Sequence, residues 1–172
     1  MDEIELAKQN FNNIEYFLEK VSENPLIIEW ADENIRDDKQ VILKAVEKDG
    51  GALEFASDRL KDDKDVLLKA TTQAGWTCCY ASDRLKADRD VVLNAVRNDG
   101  QILYFASEEL RDDKEIVLEA IKNKPIILKY ASLRLRQDKQ IAYTAVSIGK
   151  KHAYEFISDE LKQDEEIKKI LE

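Results

Sequence analysis

The chain has 172 residues, of which 44% are hydrophobic and 37% are charged. Its 36 Asp and Glu residues outnumber its 27 Lys and Arg residues, so its formal net charge is -9 and polyanions such as nucleic acids and anionic lipid surfaces are not expected as partners. No apolar run approaches the roughly 18 residues of a membrane span, and no basic region followed by an apolar stretch begins the chain. The composition therefore predicts a soluble, cytoplasmic protein.

Six copies of a unit of about 25 residues follow one another along the chain. Residues 1–12 come first, and a helix carrying Ile4, Leu6, Ala7 and Phe11 on one face is predicted to cover the first copy. The copies span residues 13–37, 38–62, 63–87, 88–112, 113–137 and 138–163, and residues 164–172 follow them. We interpret residues 1–172 as a single helical-repeat domain.

Each copy divides into two segments around a Gly or Pro. The first segment opens with an Asp that can cap a helix, as Asp38 does before the apolar run that begins at Val41. Gly50 marks the break, and we expect glycines here to end the helix in the left-handed conformation. The second segment carries an apolar stripe, such as Leu53 and Leu60, and ends in a basic residue. Two helices per repeat are therefore predicted.

The β-branched residues in the first segment permit an alternative interpretation as a strand, which would suggest a leucine-rich-repeat horseshoe. The capping Asp, the internal Ala and Lys or Glu residues, and the lack of a recurring Asn favour the helix.

Several columns of the repeat keep their residue type. The leucine column (Leu43, Leu68, Leu93, Leu118) and two alanine columns do not vary in the four middle copies. An aromatic column (Trp30, Phe55, Tyr80, Phe105, Tyr130) recurs in the second segment. We expect the leucine and aromatic columns to be buried in the core, with Ala allowing close helix approach.

The last copy departs from the pattern. Tyr143 replaces the Leu, Ile157 replaces the second Ala, and one residue is inserted near Lys150 to His152. Residues 164–172 keep the helix-start pattern but carry Lys where earlier copies are aliphatic, which is typical of a capping segment. The predicted fold is all-α: a right-handed or superhelical α-solenoid of six two-helix repeats with capping helices at both ends.

The pattern D-K/R-x-V/I-x-L-x-A-V, a Gly turn, and L-x-F/Y-A-S-x-x-L resembles a bacterial and protist tandem-repeat family of unknown function, domain of unknown function four-one-one-six. The likeness covers residues 13 to 163. It implies a helical repeat, and it supplies no activity, cofactor or catalytic residue.

Few residues suggest chemistry. The Asp63/Asp65 and Asp88/Asp90 pairs could hold a divalent cation, but each stands at a helix start, where capping explains it. His152 is the only histidine and lies in the irregular turn of the last copy. The adjacent Cys78 and Cys79 form neither a CxxC pair nor a disulfide framework, and Cys78 takes a column of leucines, so we expect it in the core. No catalytic residue, metal or cofactor is predicted.

We predict that the chain is a non-enzymatic module or scaffold that binds a protein or peptide through its surface, and that it is a monomer. The alternatives are a helical-repeat nucleic-acid binder, a structural spacer from a larger protein, and an enzyme acting through His152 or the cysteines. A variable column (Glu29, Glu54, Cys79, Tyr104, Lys129, Glu155) changes identity between copies. Trp76, Cys79, Tyr104 and Lys129 are the predicted partner-binding residues.

Overall fold

A computed structural model describes residues 2–172 of the chain. Every regular element in this range is an α-helix or a 3₁₀ helix, so the predicted all-helical repeat is confirmed. The α-helices are α1 (Glu3–Gln9), α2 (Ile14–Lys20), α3 (Glu33–Arg36), α4 (Lys39–Lys48), α5 (Asp58–Lys61), α6 (Lys64–Gln73), α7 (Asp83–Lys86), α8 (Arg89–Asn98), α9 (Lys114–Asn123), α10 (Leu133–Arg136), α11 (Lys139–Gly149), α12 (Lys151–Tyr154) and α13 (Glu165–Leu171). The 3₁₀ helices are Pro25–Trp30, Gly50–Phe55, Gly75–Tyr80, Gly100–Tyr104, Leu110–Asp112, Pro125–Tyr130 and Leu161–Gln163. None of the described helices combines the length and the apolar character that crossing a bilayer requires.

Internal packing divides the chain into two compact units, Met1–Leu85 and Lys86–Glu172. In the first unit, α2 packs on α4 and α4 packs on α6, while the 3₁₀ helix Gly50–Phe55 contacts both Pro25–Trp30 and Gly75–Tyr80. In the second unit, α8 packs on α9, α9 on α11, and α11 on α13. Within each unit, successive repeats therefore stack long helix on long helix and 3₁₀ helix on 3₁₀ helix.

The second half of each repeat is not the single helix that the sequence pattern predicts. In the second copy, the 3₁₀ helix Gly50–Phe55 is followed by an extended residue, Ala56 (φ -65°, ψ 156°), and then by the one-turn helix α5. The break occurs because the Ser57 hydroxyl caps a new helix by accepting a hydrogen bond from the Leu60 amide. The predicted apolar stripe is preserved across this break, since Leu53 and Leu60 are both fully buried.

The long helices supply most of the core. In α4 the buried residues are Val41, Ile42, Ala45 and Val46. All members of the leucine column are only half-buried, so the prediction that they are core residues is wrong. Each residue of an α-helix is rotated by about 100° from the one before it, which places the column at the edge of the buried face rather than at its centre.

Glycine recurs because successive repeats approach closely. No described glycine has a positive φ, so the expected left-handed helix ends do not occur. Gly50 and Gly100 begin 3₁₀ helices, and a β-carbon on either would lie 2.4 Å from the carbonyl oxygen of Ala70 or Ala120, respectively. Only glycine fits this contact without a shift of the backbone.

The N-terminal helix α1 packs against the 3₁₀ helix Pro25–Trp30 and buries Ala7 completely. Leu6 is half-buried, whereas Ile4 and Phe11 are exposed, so residues 1–12 cover the first repeat only in part. Phe11 lies outside the predicted helical face because α1 ends at Gln9.

Lys150, in the last repeat, is the only described residue whose φ is positive. Lys150 has φ 48° and ψ -133°, a conformation that L-residues rarely adopt. It follows α11, which is one residue longer than α9, at the predicted insertion. Tyr143 is exposed, while Ile157 is buried in place of the second Ala.

Candidate partner-binding surface

The aromatic column lies at the surface and not in the core as predicted. Phe105 is exposed, and Trp30, Phe55, Tyr80 and Tyr130 are half-buried. Four of these rings are the last residues of 3₁₀ helices, and Phe105 directly follows one. They therefore lie along the edge of the core, with part of each ring accessible to solvent.

Three rings of the second unit form an exposed aromatic cluster: Tyr104, Phe105 and Tyr130. The ring centroid of Tyr104 lies 4.9 Å from that of Phe105 and 4.8 Å from that of Tyr130, distances typical of favourable aromatic pairs. The Lys129 Nζ lies 4.7 Å from the centroid of the Tyr130 ring. Two predicted binding residues, Tyr104 and Lys129, are thus brought together on Tyr130.

Tyr104 and Phe105 both lie at the surface of the fourth repeat. The 3₁₀ helix of this repeat ends at Tyr104, and Phe105 follows it in an αR conformation (φ -89°, ψ -12°). In the other middle repeats the aromatic residue is still the last residue of the 3₁₀ helix. Tyr104 is 54% exposed, in a column that is also exposed at Glu54 and Lys129, and Phe105 lies beside it at the surface.

An Asp–Ser–Arg clamp joins successive repeats in their regular form. In the first unit, the Ser82 hydroxyl donates to the Asp62 carboxylate, and Arg84 Nε donates to Asp62 Oδ1 at 3.2 Å. Hydrogen bonds from Ser82 and then Arg84 hold the pKa of Asp62 below its ordinary value. The complete clamps are Asp37–Ser57–Arg59, Asp62–Ser82–Arg84 and Asp112–Ser132–Arg134.

The clamp is missing at two junctions of the second unit, and both partners change together. Ala87 stands where the Asp is expected and Glu109 where the Arg is expected; Gln137 and Glu160 stand at the corresponding places of the last junction. In these two repeats the one-turn α-helix is replaced by a turn and a 3₁₀ helix. The sequence analysis missed the clamp, although the recurring A-S-D-R-L with an Asp before it was a usable signal.

A shallow recess lies beside the aromatic column in each unit. In the first unit it measures about 700 Å³ and includes Arg36 and Phe55 in its lining. In the second unit it measures about 260 Å³ and includes Arg111 and Tyr130. The two arginines occupy the same repeat position, and the buried Nε of each has no hydrogen-bond partner within residues 2–172.

The other two predicted binding residues, Trp76 and Cys79, belong to the first unit. Trp76 is 45% exposed, and its ring meets the Tyr80 ring edge-on at 5.8 Å between centroids. Its Cζ2 atom lies 3.4 Å from the place of a β-carbon on Gly51, so the ring also covers that buried glycine. Cys79 is half-buried. Burial, then a hydrogen bond with Glu54, raises the pKa of Tyr80.

The capping Asp residues and Cys78, which were considered for chemistry, have structural roles. Asp63 accepts hydrogen bonds from the Asp65 and Val66 amides, and Asp88 caps α8 in the same way, which confirms the capping interpretation. Cys78 is buried in the core as predicted. His152 is exposed on α12. Within residues 2–172, no three His, Cys, Asp or Glu side chains are placed to share a metal ion.

Comparison with known proteins identifies the repeat. The family described as Domain of unknown function (DUF4116) matches residues 13–61, 38–86, 63–111, 88–136 and 113–162, so each match spans about two repeats and begins one repeat after the last. No curated protein and no solved structure matches the chain.

Proposed function

The chain belongs to the family described as Domain of unknown function (DUF4116), and we propose that it is a non-enzymatic module that binds a protein or peptide in the cytoplasm of a bacterial or protist cell. The observation that carries this proposal is the exposed aromatic cluster of the second unit, with Lys129 beside it.

Exposed Tyr rings beside a cation are the residues from which protein interfaces gain much of their binding energy. Tyr104 offers a large, rigid surface whose ring contacts Phe105 and Tyr130, so little conformational entropy is lost when a partner covers it. A fold that needed these rings only for stability would bury them, as it buries Leu103 and Ile102 next to them. Trp76 and Cys79 are proposed as additional contacts in the first unit.

The pairing of charges favours a protein partner over a nucleic acid. At four long helices the cation that follows the capping Asp is bound to the capping Asp of the next helix in the stack, as in Lys39–Asp63 (2.8 Å) and Arg89–Asp113 (2.8 Å). A cation that is already paired contributes less to binding phosphates. A structural spacer, in turn, would gain nothing from an exposed aromatic cluster.

The proposal excludes catalysis because the residues that could perform it are used otherwise. The Asp pairs cap helices, and Cys78 fills the core. His152 forms no hydrogen bond or ion pair with any described residue, so no base or acid partner positions it for proton transfer.

Affinity capture from the source cell, comparing matched variants, tests the proposal. The double variant Tyr104→Ala/Lys129→Ala should keep its melting temperature, since both side chains are exposed, but lose the captured protein by about tenfold or more. Glu54→Ala changes the same variable column in the first unit and is the matched control, which should capture as the wild type does. Equal capture by the double variant would remove the aromatic cluster as the binding site.

A further inference from the structure

The second unit contains an apolar groove at the irregular last repeat. Its volume is about 570 Å³, and its lining is formed by Pro125, Ile126, Ile148, Gly149, Lys150 and His152. We call this surface the basic groove, because its lining includes Lys150 and contains no acidic residue. It lies where α11 ends and the 3₁₀ helix Pro125–Tyr130 begins.

Two aliphatic side chains that line the groove are exposed to solvent. Ile126 is 37% exposed and Ile148 is 49% exposed. Gly149 lets α11 approach Pro125 closely, since a β-carbon on Gly149 would lie 2.5 Å from the Pro125 Cβ. This contact fixes the groove floor, and Lys150 Nζ fixes one wall by donating to the Ile170 carbonyl at 2.9 Å.

The chain around the groove is strongly basic, although the protein as a whole is acidic. Residues 120–154 contain eight Lys and Arg residues and one acidic residue, Asp138. Three of these cations pair with carboxylates: Lys122 with Glu119, Arg134 with Asp112, and Lys139 with Asp164 and Glu166. The other five have no carboxylate partner within the described residues. They are Lys124, Lys129, Arg136, Lys150 and Lys151.

The charge and the apolar floor together specify an occupant. The ammonium groups of Lys150, which lines the groove, and of Lys151, the next residue, attract carboxylates and repel basic segments. The exposed Ile126 and Ile148 gain free energy when an apolar side chain covers them. We propose that the basic groove binds an acidic peptide segment that places one bulky apolar side chain on Ile126 and Ile148, with its Asp or Glu residues next to Lys150 and Lys151.

This inference rests on the proposed function, because it assumes that the chain binds peptides, but it uses a surface other than the aromatic cluster. The two are separable. Weaker peptide binding by the groove variants, together with unchanged peptide binding by Tyr104→Ala, would support the groove alone.

Selection from a random display library of 12-residue peptides on the immobilised full chain tests the occupant. The enriched peptides should carry Asp or Glu on both sides of a Leu, Ile, Phe or Trp. One enriched peptide, made with a fluorescent label, is then titrated by fluorescence anisotropy. Binding should weaken about tenfold or more in Ile126→Ser/Ile148→Ser and about threefold or more in the charge-reversal variant Lys151→Glu, and it should also weaken as salt is raised.

Leu26→Ser is the matched control. Leu26 occupies the repeat position of Ile126 in the first unit and is 44% exposed, so its loss should leave the affinity unchanged. Lys151→Glu removes no ion pair of the described chain and should melt as the wild type does, which keeps the test valid if the Ile variant unfolds.

Three results would overturn the proposal. One is a set of enriched peptides that is basic or lacks an apolar residue, and another is an affinity unaffected by the charge-reversal variant. The third is a different occupant: groove variants that alter self-association in light scattering, or a single-stranded RNA oligonucleotide that binds the wild type and not the charge-reversal variant, would assign the groove to a second copy or to RNA.

Discussion

The two units are built from the same repeat but differ in charge and in regularity. The first unit, up to Leu85, has 11 Lys and Arg residues against 19 Asp and Glu residues; the second has 16 against 17. The contrast is sharpest between residues 20–54, with five basic and nine acidic residues, and the corresponding residues 120–154, with eight basic and one acidic. The acidic net charge of the protein is therefore carried almost entirely by the first unit.

The two units also differ in how regular their repeats are. In the first unit the clamps at Asp37 and Asp62 are complete, whereas the second unit lacks two clamps, exposes Tyr104 and Phe105, and contains the strained Lys150. A column that repeats without change has a structural role in every copy. A column that changes between copies can serve one copy alone, and the two missing clamps, the exposed aromatic cluster and Lys150 all lie in the second unit.

The largest expected effect on stability concerns the buried leucine position that both units share. Leu60→Ala in the first unit and Leu135→Ala in the second each remove a fully buried side chain at the same repeat position. Each should lower the free energy of unfolding by about 2 to 5 kcal/mol in chemical denaturation. Leu93→Ala removes a half-buried side chain and should cost about 1 to 2 kcal/mol. A loss at Leu93 as large as that at Leu135 would contradict the edge position of the leucine column.

Lys150 tests a feature that belongs to the second unit. Lys150→Gly should raise the free energy of unfolding by up to about 1 kcal/mol, because relief of backbone strain exceeds the added freedom of glycine in the unfolded chain. Lys151→Gly, one residue later in α12, is the control and should lower it by about 0.5 to 1 kcal/mol. Thermal unfolding of both variants measures the difference, and a loss of equal size in both would show that the φ of Lys150 is not strained.

A missing clamp can be built into the second unit. Ser107 is already present between Ala87 and Glu109, so Ala87→Asp/Glu109→Arg should add a fourth clamp of the regular type. Since exposed ion pairs contribute little, the melting temperature should rise by about 1 to 3 °C at neutral pH. Ala87→Asp alone would set a carboxylate near Glu109 and should give no rise. An equal gain from the single variant would show that the Arg is not needed.

The gain should depend on pH with a definite sign. The native clamps hold the pKa values of Asp37, Asp62 and Asp112 below their ordinary value, first through the Ser hydroxyl and then through the Arg. A carboxylate whose pKa is lower in the folded chain stabilises it above the unfolded pKa of about 3.9, and this stabilisation is lost as the pH falls through the folded pKa. The double variant should therefore lose its advantage over the wild type in acid, and an advantage that persists there would argue against the ion pair.

Local sequence patterns predicted the repeat, its breaks and its helix caps because each depends on neighbours in the chain. Asp63 caps α6 through the amides of Asp65 and Val66, which the Asp-x-Asp spacing alone indicates. Burial was predicted less well. Leu93 and Phe105 recur as faithfully as Val92 does, but recurrence does not distinguish the centre of a helix face from its edge.

The site could be predicted only in part for a similar reason. Tyr104 and Lys129 were found because they depart from their column, and the structure adds Tyr130 between them. Phe105 could not be found, since its column is half-buried in the other copies and the residue type does not change. The basic groove combines residues of two repeats, Ile126 and Ile148, whose approach depends on the inserted residue and on Gly149.

Site-specific photo-crosslinking tests the central claim, that a partner binds at the aromatic cluster of the second unit. Photoreactive benzoylphenylalanine is placed at Tyr104 in one variant and at Glu54, the same column of the first unit, in another, and both full-length proteins are irradiated in lysate of the source cell. A crosslinked protein is expected from position 104, reduced by an excess of unlabelled wild type, and none from position 54. Crosslinks of equal yield at both positions, or at position 54 alone, would contradict the assignment of binding to the second unit.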